Sequence, residues 1–204
     1  IWSFEEMYDR AKVLKDKFKG ETAYICTAGP TFNTFSEELL KEKLGDKLVI
    51  SIKQTQDKLK DITDIHLLNF VNLSNYKYSN PNTLAATEQW DQMDMNNNFA
   101  RPWGPGTMYE MAIPMALYMG CTKIVTIGWD LFKNTLNSPE KGENDWCYKE
   151  ITHESTKTQG SLKELNLVKN STKSLYEWLL KKGVELVIVD PDGDNPAYEK
   201  IKRT

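Results

Sequence analysis

The sequence of 204 residues has few cysteines, few histidines and no long apolar run. Its three cysteines, Cys26, Cys121 and Cys147, form no CxxC pair, which argues against a disulfide framework or a structural zinc site. No segment approaches the roughly 18 consecutive apolar residues of a membrane span. No secretory signal peptide is recognisable either. We therefore expect a chain with no transmembrane segment, acting in the reducing cytoplasm.

The chain also lacks an excess of positive charge and two well-known glycine-rich nucleotide motifs. Its net charge is −3, so no general basic field attracts nucleic acid. It contains neither GxGxxG nor a loop that ends in GKS or GKT. These absences argue against a nucleic-acid partner, a dinucleotide-dependent dehydrogenase and a P-loop enzyme.

What the sequence does contain is an alternation of strand and helix patterns. Helical spacing of apolar residues predicts helices over residues 3–19, 107–120 and 161–182, one that runs from Thr34 or Ser36 to Leu44, and a further short helix around 83–93. Short apolar runs predict strands at 23–27, 47–52, 65–71, 124–127 and 184–189. This alternation predicts an α/β, Rossmann-like fold. Its mostly parallel sheet has about five to six strands, with helices on both faces.

No repeat or linker divides the chain, whose length suits one α/β domain. We therefore expect residues 1–204 to form a single Rossmann-like nucleotide-binding domain. Two irregular polar and aromatic segments, 75–104 and 132–160, are candidate lids over the site, and their aromatic residues could line an acceptor cleft or a subunit interface. A poorly ordered loop is the alternative for 75–104. Since the sequence begins with Ile1 rather than methionine, another interpretation is that it is part of a longer protein.

Two segments place turn residues directly after predicted strands. AYICTAGPTFN (23–33) puts Gly29, Pro30 and Thr31 after the first strand, and TKIVTIGWD (122–130) ends in Asp130. Ligands of open parallel sheets bind at the carboxyl ends of the strands. A turn of this kind can hold a phosphate on backbone N–H groups, although Pro30 lacks that donor. A plain strand-to-helix turn is the alternative.

Two side chains in the irregular segments are candidates for chemistry. Arg101 precedes the Gly/Pro turn at 104–106 and could bind a phosphate or carboxylate through its fork of donors. His153 could act as a general base at neutral pH. Solvent-exposed side chains without a role remain the alternative at both positions.

Two of these segments together resemble a known superfamily. TAGPTF (27–32) and GTMYEMAIPMALYMGCTKIVTIGWDLF (106–132) resemble the 6-hydroxymethylpterin diphosphokinase-like family, in which a GxGPSL-like turn closes the first strand and a later strand ends in G-x-D. The pattern is also similar to that of the bacterial CMP-sialic acid sialyltransferases. A further similarity is to the nucleotide-binding part of the motility accessory factor glycosyltransferases.

The resemblance implies a nucleotide site with several contributors. Asp130 matches the acid of the G-x-D motif, near the nucleotide or a metal, and with His153 it is a candidate catalytic residue. The remaining matches imply contacts with the phosphates, the cytidine or the donor sugar, and they are Gly29, Pro30, Thr31, Asn72, Gly106 and Thr107.

Two positions depart from the family pattern. Ala28 stands where the family has a second glycine, and Leu167 occupies the position of the sialyltransferase histidine base. His153 lies upstream of that position, so it would have to substitute for the missing base.

Three functions remain open at this point. The first is a glycosyltransferase that uses a CMP-linked acidic sugar as donor and a sugar or glycan as acceptor, with no metal. The second is a pyrophosphokinase that transfers from ATP to a pterin-like alcohol and requires Mg²⁺. The third is a non-catalytic nucleotide- or partner-binding module. An oligomer is compatible with all three.

Overall fold

A computed structural model of the protein describes residues 9–68, 83–85, 108–130 and 162–189. It describes the side chains of these residues except at 30, 83–85, 109, 110 and 162–171.

Within the described residues, six strands form one sheet in which all neighbours are parallel. The order across the sheet is β4-β3-β2-β1-β5-β6. This confirms the predicted parallel α/β fold. It also places a reversal of strand order at β1, with β2 on one side and β5 on the other. The strands are β1 (Thr22–Cys26), β2 (Leu48–Ile52), β3 (Ile65–Leu68), β4 (Thr83–Ala85), β5 (Lys123–Ile127) and β6 (Glu185–Ile188).

Helices connect and cover these strands. The α-helices are α1 (Glu37–Leu44), α2 (Gln56–Leu59), α3 (Ile113–Tyr118) and α4 (Leu162–Lys181), and residues 9–12 are also helical. Short 3₁₀ helices follow β1 (Pro30–Thr34) and β2 (Lys53–Thr55). A search of the described helices finds none with both the length and the apolar character that crossing a bilayer requires.

The strands bury side chains on both faces of the sheet, as alternation along a strand requires. In β1, Ala23 and Ile25 belong to a large cluster with α3 and α4. Cys26, the next residue, belongs to a smaller cluster with Phe32 and α1. The prediction of helices on both faces is therefore confirmed.

The helix before β5 has the buried face that the spacing predicts. Its four methionines 108, 111, 115 and 119 are at most 7% exposed. A π-helix, Met108–Ala112, precedes α3. Pro114 lies in the first turn of α3 and has no N–H to donate, so the backbone widens there. Gly120 ends the helix with a φ of +84°, as predicted from its freedom to adopt a left-handed conformation.

The predicted helix over residues 3–19 is wrong in its second half. Helical structure ends at residue 12, and residues 13–20 form turns. The N–H groups of Asp16, Phe18 and Gly20 donate instead to the carbonyls of residues 118, 119 and 120, over 2.9–3.0 Å. These tertiary bonds satisfy carbonyls at the carboxyl end of α3, which have no partner within the helix.

The predicted short helix around 83–93 is wrong at its start. Residues Thr83–Ala85 are β4, which pairs in parallel with β3. The rest of that predicted helix lies outside the described residues.

Candidate functional site

The two turns singled out in the sequence meet at the carboxyl edge of the sheet. Cys26 of β1 is in register with Ile127 of β5, so the residues that follow these strands leave the sheet side by side. Because strand order reverses at this point, the edge between β1 and β5 is the topological switch point of the sheet, where open α/β proteins bind ligands.

Backbone bonds continue beyond the strands and join the two turns. Thr27 N donates to Ile127 O over 2.8 Å, and Gly29 N donates to Gly128 O over 2.9 Å. The hydroxyl of Thr27 also donates to Gly128 O. The two turns are therefore held together as one unit.

Asp130 fastens the second turn to the first through its side chain. Its Oδ2 accepts a hydrogen bond from Thr31 N over 2.9 Å, and its Oδ1 accepts one from the Thr31 hydroxyl. Each residue is only 8% exposed. A buried carboxylate with two such donors fixes both the position of the 3₁₀ turn and the direction of the Thr31 hydroxyl.

Gly29 is required by space rather than by backbone conformation. Its φ is −71°, which other residues adopt readily. A Cβ at this position would lie 2.3 Å from Gly128 O and 2.4 Å from Asp130 Oδ2. The absence of a side chain therefore permits the close approach of the two turns.

The N–H groups of the first turn are used within the protein. Gly29 N and Thr31 N donate to Gly128 O and Asp130 Oδ2, and Phe32 N donates to Gly29 O over 3.1 Å. Pro30 has no N–H. At 29–32, the turn therefore lacks the ready set of free amide donors that the sequence pattern suggested for a phosphate.

The carboxyl end of β2 carries a second polar group of side chains, which the sequence did not single out as a site. Thr55 Oγ1 lies 2.9 Å from Ile52 O and 3.2 Å from Cys26 O, so it ties β2 to β1. The Ser51 hydroxyl donates to Gln56 Oε1. In the part of the chain that the structure describes, Gln56 Nε2 is buried without a hydrogen-bond partner.

Lys58 lies where α2 meets the first turn. Its ammonium is 3.1 Å from Asn33 Oδ1 and 3.5 Å from Phe35 O, and it lies 5.3 Å from the centroid of the Phe32 ring. A positive charge therefore adjoins the turn that contains Gly29 and Thr31.

The described histidine, His66, and the described cysteines, Cys26 and Cys121, are buried in the core. His66 is fully buried in β3, and its Nε2 lies 2.8 Å from Lys53 O. Burial lowers the pKa of His66 to about 4, against the smaller opposing effect of that hydrogen bond. Burial raises the pKa of the Cys26 thiol to about 12 and that of Cys121 to about 11, so both are poor nucleophiles at neutral pH.

The structure describes four of the nine predicted site residues, and they lie at one place. Gly29, Thr31 and Asp130 come together, and the backbone of Pro30 begins the same 3₁₀ helix. The other five lie outside the described residues, and they are Asn72, Arg101, Gly106, Thr107 and His153. Within the described ranges, no group of three or more His, Cys, Asp or Glu side chains is arranged to hold a metal ion.

Comparison with known proteins gives a distant structural likeness. No protein-family model matches the sequence, and no curated protein matches it. Among solved structures, the chain is similar to the sialyltransferase CstII from Campylobacter jejuni in complex with a substrate analogue, cytidine-5′-monophosphate. The TM-score is 0.45 at 14% identity, over 91% of this chain and 85% of the other. At this degree of similarity the likeness gives no information about chemistry or substrate.

Proposed function

We propose that the protein binds a nucleotide at the edge between β1 and β5 and transfers a sugar from it. The donor class is a CMP-linked acidic sugar, and the acceptor is a sugar or glycan hydroxyl. The observation that carries the proposal is the Thr31–Asp130 contact, which joins the two motif turns at the switch point of a parallel sheet. The motif resemblance supplies the nucleotide class.

The described residues would act by preparing the site. Gly29 leaves room for the turns to approach, and Asp130 orients Thr31. A site built from such fixed groups loses little entropy when a ligand binds. Asp130 would therefore serve as a positioning residue that presents the Thr31 turn to the nucleotide.

The transfer step is a substitution at the anomeric carbon of the sugar. The acceptor oxygen forms the new bond, the bond from the sugar to the phosphate oxygen breaks, and CMP leaves. In this proposal His153 takes the proton of the acceptor hydroxyl. Contacts from Asn72, Arg101, Gly106 and Thr107 to the nucleotide and donor sugar also belong to the proposal, on the motif resemblance alone.

The surroundings of Asp130 favour this reaction over the Mg²⁺-dependent pyrophosphokinase. That alternative would use Asp130 as a metal ligand, as its position in the G-x-D motif suggests. Both carboxylate oxygens already accept hydrogen bonds from Thr31. A cation there would have to share both oxygens with the Thr31 donors that join the two turns.

A thermal-shift panel tests the proposal directly. The protein is melted with CMP, CDP, UDP, GDP, ATP and NAD, each with and without Mg²⁺. A ligand that binds only the native state raises the melting temperature. At a ligand concentration of one hundred times its Kd, the free energy of unfolding rises by about 2.7 kcal/mol. Stabilisation by CMP without metal is the expected result. Stabilisation by ATP only with Mg²⁺ would support the pyrophosphokinase instead, and no shift with any nucleotide would contradict both enzymes.

A further inference from the structure

A nucleotide phosphate at this site needs a positive partner, and the first turn does not supply enough of one. The amides of Gly29, Thr31 and Phe32 donate within the protein, and Pro30 has none. Asp130 adds a buried negative charge close to Thr31. An anion placed here without a cation would lose its hydration and gain little in return.

Lys58 is a cation in the right part of the fold. It follows β2, and its ammonium reaches the segment that follows β1, so it lies on the carboxyl side of two neighbouring strands. Asn33 Oδ1 and Phe35 O hold the ammonium from one side, and the Phe32 ring lies within 5.3 Å. These contacts restrict a side chain that is otherwise flexible.

Within the described residues, the partners of Lys58 are all uncharged, whereas several other lysines pair with carboxylates. Lys41 pairs with Glu37 and Asp61 at 3.0 and 2.8 Å, and Lys47 pairs with Asp46 at 2.9 Å. Within the described residues, no carboxylate lies within ion-pair distance of Lys58. Its charge is therefore held beside the first turn without a carboxylate partner in this part of the protein.

We infer that Lys58 is the side chain that binds the anionic group of the nucleotide substrate. This inference rests on the proposed function, because it assumes that the substrate lies over the turn after β1. The ammonium would exchange a carbonyl or amide contact for a charge-assisted hydrogen bond, which is about twice as strong. Asn33 and Phe35 would then act as positioning residues for the cation.

The test compares Lys58→Gln with Lys60→Gln. Lys60 lies two residues further along and is exposed, so its substitution removes the same charge without touching the first turn. Calorimetric titration at low salt measures the affinity of each protein for cytidine, CMP and a CMP-linked acidic sugar. Because hydrogen bonds to charged groups contribute about 1.5–3 kcal/mol, Lys58→Gln is expected to weaken CMP binding about tenfold or more. Lys60→Gln and the wild-type protein should bind CMP alike.

Comparison of cytidine, CMP and the CMP-linked acidic sugar identifies which anionic group Lys58 binds. Equal affinity of wild type and Lys58→Gln for cytidine, with a loss for CMP, assigns the phosphate. If Lys58→Gln loses affinity only for the CMP-linked sugar, then Lys58 binds the sugar carboxylate. Lys58→Arg keeps the charge and should retain most of the affinity, which separates charge from packing against Phe32.

Two results overturn the inference. If wild type binds CMP and Lys58→Gln binds it equally well, along with the CMP-linked sugar, then Lys58 has no part in the site although the nucleotide function stands. Equal losses for cytidine and for CMP also exclude anion binding, since cytidine carries no phosphate. Failure of the wild-type protein to bind any of the three ligands contradicts the proposed function itself, and the inference with it.

Discussion

At the scale of single residues, Gly29 shows how little space separates the two turns of the site. We expect Gly29→Ala to lower the free energy of unfolding by about 3 kcal/mol, at the upper end for an overpacked site, because backbone would have to move. Its Cβ would lie 2.3 Å from Gly128 O. Thermal or urea unfolding of the purified variant measures the loss.

The matched control for Gly29→Ala is Gly20→Ala. Gly20 has a φ of +85° but no heavy atom within 4 Å of its missing Cβ, so alanine there meets only backbone strain of about 1–2 kcal/mol. A Gly29→Ala variant as stable as wild type would show that the two turns are not in close contact in solution.

His66 makes the stability of the protein depend on pH. Its folded pKa of about 4 lies below the usual 6.5, so the unfolded chain binds a proton that the folded chain resists. This contribution is absent above about pH 6.5 and grows as pH falls towards 4. At about 1.4 kcal/mol per pKa unit, it destabilises the fold by about 3 kcal/mol at most.

The measurement is urea unfolding of wild type and His66→Gln between pH 7.5 and 4. The difference between the two proteins removes the effect of carboxylates that titrate in the same range. Wild type should lose more stability than the variant as pH falls. His153→Gln, which removes the chain's other histidine, serves as the control, and parallel profiles for wild type and His66→Gln would contradict the burial of a neutral imidazole.

At the scale of elements, α1 follows from a local signal. Ser36 Oγ accepts a hydrogen bond from Leu39 N over 3.2 Å, and Glu37 and Glu38 lie in the first helical turn of α1. We expect Ser36→Ala to cost about 1 kcal/mol of stability. For a chain of this size that lowers the melting temperature by about 2–4 °C. Ser36→Asn retains a capping oxygen and should melt close to wild type, so equal losses for the two variants would rule out a capping role.

The elements that the sequence predicted well are those whose signals are local. β1, β2, β5 and β6 begin and end within one residue of the predicted bounds, because each is a short apolar run between turn residues. Residues 13–20 carry a good helical pattern and still form turns. Their backbone bonds to residues 118–120 bridge about 100 positions, and no local pattern contains that information.

The candidate site also has features that the sequence predicts and features that it does not. That Gly29 and Asp130 lie at one edge follows from strand order and the carboxyl ends of parallel strands. That Asp130 bonds directly to Thr31, and so consumes an amide of the turn, depends on side-chain geometry. The place of Lys58 beside Asn33 could not be predicted either, because nothing in the local sequence distinguishes it from the nearby Lys53 and Lys60.

At the scale of the whole molecule, the sheet is organised outward from β1. The chain builds β2, β3 and β4 in succession on one side and then crosses to place β5 and β6 on the other. Each face is closed by its own hydrophobic cluster, so β1 is covered on both faces and paired at both edges. The candidate site therefore stands on a strand that is enclosed on all sides, which favours a rigid surface.

The contact between Thr31 and Asp130 also determines when the site can form during protein synthesis. The two residues are 99 positions apart in the chain. At a synthesis rate of about 5–20 residues per second, Asp130 leaves the ribosome about 5–20 s after Thr31. Until then the nascent chain has the first turn but lacks the carboxylate that secures it. The candidate site is thus completed late in synthesis, when the second half of the sheet is added.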